Sequence, residues 1–127
     1  MLRILDHEID FDITSPQDMQ RYLEAGRAME AAAAALPDLP SAAQLGNLEG
    51  LEVYTACITA QCRMLTDFID AAFGEGTCNM LLGPKTSLDR LLDLVDALRT
   101  AIDAQGEQTA KKLTAYQPNR ARGGEMK

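Results

Sequence analysis

From Leu51 to Phe73 the chain reads Leu-Glu-Val-Tyr-Thr-Ala-Cys-Ile-Thr-Ala-Gln-Cys-Arg-Met-Leu-Thr-Asp-Phe-Ile-Asp-Ala-Ala-Phe. Its apolar positions Leu51, Tyr54, Ile58, Cys62, Leu65, Ile69 and Ala72 follow a three-four spacing, with Phe68 beside them. That spacing lines one side of a helix, whereas a half-buried strand would need strict alternation. Gly46 and Gly50 weaken the beginning of the run, each by about 1 kcal/mol relative to Ala, which allows a helix start as late as Leu48. Gly74 follows as a residue free to take the left-handed conformation that closes a helix.

Upstream, Thr14-Ser15-Pro16-Gln17-Asp18 reads as a helix start: Ser15 to cap, Pro16 at the first helical position, Asp18 to reach back as in a capping box. Met19, Tyr22, Leu23, Gly26, Met29, Ala33 and Leu36 then recur at helical spacing. The run Ala31 to Ala35 continues the helix until Pro37 and Pro40 stop it, and its small side chains admit a close neighbour. Ser41-Ala42-Ala43-Gln44 repeats the capping-box pattern. Downstream, Thr77 is expected to cap a short helix ending at Gly83-Pro84, and Thr86-Ser87-Leu88-Asp89 to open a last long one. The stripe of that helix is Leu88, Leu91, Leu92, Val95, Leu98 and Ile102, after which Gln105 and Gly106 break the pattern. Two heptads are too few for a free coiled coil, so the stripe packs inside the domain or against a partner.

The N-terminus has a different period. Glu8-Ile9-Asp10-Phe11-Asp12-Ile13 alternates acid and apolar without error, the mark of a strand with one wet face, and Leu2-Arg3-Ile4 alternates before it. A short hairpin over about 2–5 and 8–13 is expected, with Ile9, Phe11 and Ile13 packed on a helix or a partner, since an isolated hairpin is marginal in water. The fold class that follows is mainly α: a bundle of three long helices plus one short helix, with an N-terminal β-hairpin. One domain over 1–115 and a flexible, weakly basic tail over 116–127 complete the expected organisation.

Composition agrees. The 127 residues hold 46% apolar side chains, 19 of them alanine, but only 5% aromatics and no Trp, a balance that favours helices over strands. A net charge of -7 argues against holding nucleic acid through phosphates. No run approaches the roughly 20 apolar residues of a membrane span. Early acids at Asp6, Glu8, Asp10 and Asp12 are not those of a signal peptide, and three unpaired-looking cysteines suit a reducing cytoplasm.

Residue patterns that could carry chemistry read as structural. Glu8, Asp10 and Asp12 lack the glycine and closing glutamate of a calcium loop. His7 stands alone in an expected turn, and Cys57, Cys62 and Cys78 lack the paired spacing of a zinc site. Gly74-Glu75-Gly76-Thr77 follows a helix and puts an acid where a phosphate would sit, and Pro84 occupies the glycine position before Lys85-Thr86. A non-enzymatic chain with no cofactor and no metal is expected. The surplus of amphipathic faces points instead to a protein partner or a homo-oligomer, with Ile9, Phe11, Leu88, Leu91, Val95, Leu98 and Ile102 as the candidate contact residues, helped by the alanine run.

The order of pieces also resembles a family of small proteins encoded in tail-morphogenesis modules of bacteriophages and prophages of Gram-positive gut bacteria. The resemblance rests on Leu2-Arg3-Ile4 with Phe11-Asp12-Ile13, on Phe68 through Thr77, on Leu82-Gly83 with Leu88, Leu91 and Leu98, and on Tyr116-Gln117-Pro118-Asn119-Arg120. The loop 37–50 and the terminal Gly123 to Lys127 depart from it. The resemblance implies a tail assembly chaperone, acting in the host cytoplasm, that keeps the long helical tape-measure protein soluble until the tube forms around it. Its alternatives are a structural minor tail protein kept in the virion, such as a connector or completion protein, and a small prophage regulatory protein.

Overall fold

A computed structural model describes residues 1–116, and the tail expected over 116–127 falls, beyond its first residue, outside them. Two short antiparallel strands, β1 (Leu2–Ile4) and β2 (His7–Ile9), precede α1 (Pro16–Ala35), α2 (Leu48–Phe73), α3 (Thr77–Leu82) and α4 (Leu88–Tyr116). A 3-10 turn, Ala42–Gly46, joins α1 to α2. Three long helices, one short helix and an N-terminal hairpin are therefore present, as the periodicities require. α2 is the central element: α1, α3 and α4 all pack on it, while α4 also carries β1.

The hairpin is tighter than its alternation suggests. Leu2 pairs with Ile9 and Ile4 with His7, and the two-residue connection Leu5-Asp6 has φ of 50° and 65°. Positive φ at both positions suits the right-handed twist of adjacent strands. The second strand ends at Ile9, not Ile13, because the Phe11 N–H donates to the Ile9 carbonyl at 2.9 Å and turns the chain off the ladder. The inward alternation nonetheless persists: Ile9 and Phe11 are buried, Ile13 is half-buried, and Glu8, Asp10 and Asp12 stay exposed.

Helix ends follow local chemistry. Ser15 Oγ accepts from the Asp18 N–H at 3.3 Å, and Pro16 takes the first helical position of α1. Asp18 reaches back further than a capping box, accepting from the Asp12 N–H at 2.9 Å. Ser41 makes no side-chain cap bond; Asn47 starts α2 instead, its Oδ1 accepting from the Gly50 N–H at 2.7 Å. Between α2 and α3, Gly74 at φ 122° and Gly76 at φ 86° occupy backbone regions that side chains resist, which explains the two glycines of that turn. Thr77 does not cap α3: Gly76 holds the cap position, Thr77 is buried, and Asp70 Oδ1 accepts from the Cys78 N–H at 2.9 Å. Arg90 closes the other end of α3, donating to the Leu82 and Lys85 carbonyls at 2.9 and 2.8 Å.

The core forms where the hairpin, the second half of α2, α3 and the first half of α4 meet. Phe11, Ile69, Leu91 and Leu98 are fully enclosed. Phe11 stands edge-on to Phe73 at 5.0 Å and to Tyr22 at 5.8 Å between centroids, so one ring from the N-terminal segment joins α1 to α2. Burial of such a ring contributes about 1.5–3 kcal/mol, and each edge-on pair adds about 0.5–1.5 kcal/mol. On α4 the stripe differs by one residue from its expected form: Leu94 is buried and Leu92 is half exposed, because Leu92 lies about 100° around the helix from Leu91.

Candidate functional site

The candidate contact residues read from the sequence are mostly inside the chain itself. Ile9, Phe11, Leu91, Val95 and Leu98 are buried members of the core, and Leu88 and Ile102 are half-buried against it. Within the chain itself these residues serve as core: the hairpin and α2 pack on α4 and cover most of its stripe, while Leu92 stays half exposed. The alanine run is the opposite case, since Ala31 through Ala35 are all exposed.

The open apolar surface lies elsewhere. α1 and α2 are 20 and 26 residues long, but α1 buries only Ala25, and α2 buries nothing before Cys57. The far end of this antiparallel pair is therefore an arm reaching beyond the core. Its tip carries Leu39 at 41%, Leu45 at 38%, Leu48 at 79% and Leu51 at 40% exposure, gathered where the 3-10 turn enters α2. A shallow hollow of about 260 Å³, lined by Asn47, Glu49, Gly50 and Val53, lies beside them. Isolated exposed leucines are ordinary; several of them at one end of a helix pair make an open apolar surface.

The rim of this surface has one sign of charge. From Ala28 to Cys62 there is no Lys or Arg, while Glu30, Asp38, Glu49 and Glu52 are all present and exposed. No basic side chain stands in the last turn of α1, so the negative end of its dipole adds to these acids. The sequence carried a signal for this arm in that long cation-free interval, and in leucines set next to Gly46, Asn47 and Gly50, where helical stripes are interrupted. Of these leucines only Leu51 belongs to a stripe; Leu39, Leu45 and Leu48 stand before or at the start of α2, where no periodicity has yet begun.

A second open feature is a groove of about 810 Å³ between the N-terminal segment and the last turns of α4. Asp12, Thr14, Gln105, Thr109, Lys112 and Leu113 line it. Gln105 fixes one wall: its Oε1 accepts from the Ile13 N–H at 2.7 Å and its Nε2 donates to the Phe11 carbonyl at 3.3 Å. From Glu107 to Ala115 every residue but Thr109 is exposed, so the last turns of α4 extend past the core as a second projection.

Among the described residues, no three His, Cys, Asp or Glu side chains come together as metal ligands would. His7 and the acids Glu8 and Asp10 are exposed on the hairpin, and Cys57, Cys62 and Cys78 are free thiols on two helices. The Cys78 thiol is pushed up from its ordinary range by burial, which makes less of the reactive thiolate available there. No described helix is long and apolar enough to cross a membrane.

The chain belongs to a family of unknown function, DUF6673, whose model matches residues 5–127. No curated protein and no solved structure matches it.

Proposed function

For this member of DUF6673 we propose a non-enzymatic role as a holder of another protein's amphipathic helix, and specifically as a tail assembly chaperone for the tape-measure protein of a phage or prophage. The observation that carries the reading is the leucine tip of the α1–α2 arm, with Leu48 at 79% exposure. Such a surface gains by covering the apolar stripe of a helix, and the acids around it keep both the free chain and the complex soluble. The phage setting comes from the sequence resemblance, chiefly the Phe73-Gly74-Glu75-Gly76-Thr77 turn and the Tyr116-Gln117-Pro118-Asn119-Arg120 segment. A long tape-measure helix aggregates when alone, and a holder with an open apolar face outside its own core shields it without unfolding.

Co-expression with the tape-measure protein of the same genome tests the reading. The tape-measure protein should become soluble with this chain, and that gain should be lost with Leu48→Glu/Leu51→Glu, which alters only the arm. No gain in solubility, or a gain that survives the double variant, overturns it. Purified virions should lack the chain; its presence there in fixed copy number would instead make it a structural tail component.

A further inference from the structure

Two stretches of this chain carry charge of opposite sign, and the residues outside them hold its net charge of -7. The arm from Ala28 to Cys62 carries four acids and no base. From Gln108 to Lys127 the sequence reverses: Lys111, Lys112, Arg120, Arg122 and Lys127 stand against Glu125 alone. Lys111 and Lys112 are exposed on the last turns of α4, and Leu113, at 54% exposure, lies beside them. Among the described residues the single ion pair is Arg21 with Asp18, at 3.5 Å, so neither the acids of the arm nor these lysines are paired. Lys112 faces Asp12 across the groove at longer range and helps to hold that carboxyl ionised.

We propose that the acid-rimmed leucine tip of one copy receives the basic end of α4 from a second copy, head to tail. Each side offers what the other lacks. Leu48 and Leu51 supply an uncovered apolar surface with Glu49 and Glu52 around it; Leu113 supplies an apolar knob with Lys111 and Lys112 around it. Because the two patches lie on different parts of the chain, the contact is heterologous and propagates into a ring or an open string. An arm-to-arm dimer would place Glu49 and Glu52 near their own copies, and like charges at close range disfavour it. The arm is the same surface proposed above for a client helix, but this contact needs no client, and so it stands or falls on the chain alone.

The test is sedimentation of the full chain with two charge reversals, Glu49→Lys/Glu52→Lys on the arm and Lys111→Glu/Lys112→Glu on α4. All four side chains are exposed, so circular dichroism should show both variants folded as the parent is. The parent should associate in a concentration-dependent way that weakens as salt is raised, because the attraction is screened. Each reversed variant alone should sediment as a monomer, and an equimolar mixture of the two should associate again, since the unaltered arm of one and the unaltered α4 of the other then meet the patches that complement them. A parent that stays monomeric at all concentrations overturns the proposal. So does association that survives both reversals, or a mixture that fails to recover it.

Discussion

Gln105 and Ile13 lie 92 positions apart, yet the Ile13 N–H reaches the Gln105 side-chain oxygen at 2.7 Å. The same amide turns its nitrogen to the Phe11 carbonyl at 3.3 Å, so one side chain on α4 takes the place of a missing strand for residues 11–13. This clamp holds the segment that delivers the Phe11 ring to Tyr22 and Phe73. Gln105→Ala leaves a part-buried donor and acceptor without partners and should cost about 1–3 kcal/mol in urea unfolding. Gln108→Ala, an exposed neighbour, should change stability by less than about 0.5 kcal/mol. Hydrogen exchange gives a local readout, because the Ile13 amide should lose protection in the first variant only.

That clamp also shows where sequence reading stops. The helices were legible because stripes such as Leu65, Ile69 and Ala72 repeat within one element, and the inward side of Ile9 and Phe11 was legible because alternation is local. Gln105 and Gly106 read as the end of a stripe, whereas α4 runs on through them to Tyr116 and uses Gln105 as a backbone partner. A polar residue on an apolar face has that use only when a distant segment arrives, and no spacing rule carries that information. Contact surfaces are hard to read for a related reason. The stripe of Leu91, Val95 and Leu98 has the pattern of an interface whether the covering chain is its own or another's. At the arm tip only Leu51 belongs to a periodic stripe; Leu45 and Leu48, on either side of the break at Asn47, belong to none.

Two glycines within helices offer stabilising changes. A Cβ at Gly26 in α1 would meet nothing within 4 Å, and one at Gly106 in α4 would touch Ile13 Cδ1 at 3.5 Å, an ordinary contact. Gly→Ala in a helix interior removes an entropic cost of about 0.5–1 kcal/mol. Gly26→Ala and Gly106→Ala should each raise the melting temperature by roughly 2–5 °C in a thermal scan. Gly74→Ala should lower it, since that residue has φ of 122° and its Cβ would lie 3.4 Å from Thr77 Oγ1. A lower melting temperature for Gly106→Ala would mean that Ile13 cannot yield and that the clamp is tighter than its hydrogen bonds imply.

The three thiols should separate by burial. Cys62 is half-buried on α2, Cys57 on the same helix is at 8% exposure, and Cys78 is at 3%. Burial also holds the Cys78 thiol protonated to higher pH, although its contact with Thr66 Oγ1 at 3.9 Å opposes this weakly. Alkylation of the native chain at mildly alkaline pH, followed site by site by mass spectrometry, should label Cys62 first and Cys78 last. In denaturant the three rates should converge. Cys78 reacting as fast as Cys62 in the native chain would place α3 in a locally open state.

Acid should act on the N-terminal segment through Asp12. Its Oδ1 accepts from the Thr14 hydroxyl at 2.6 Å and from the Thr14 N–H at 2.8 Å. Those bonds, the hydroxyl foremost, hold the carboxyl below its ordinary value of 3.8 against opposition from desolvation, with still smaller help from the amino group of Met1 and from Lys112. A depressed carboxyl means that the unfolded chain takes up the proton first. The stabilisation from ionised Asp12 is therefore complete above the ordinary value and is lost as pH falls through the lower, folded one. Asp12→Asn keeps an acceptor for Thr14 but carries no charge, so its stability deficit against the parent should be constant near neutrality and shrink below about pH 4. Thr14→Val removes the strongest donor to the carboxylate, so adding Asp12→Asn to that variant should change the acid-side stability by less than it does in the parent. Urea midpoints of the parent, the two single variants and the double variant across this range measure both effects. A deficit that does not shrink in acid would show that the Thr14 bonds act through turn geometry alone, with no preference for the ionised carboxyl.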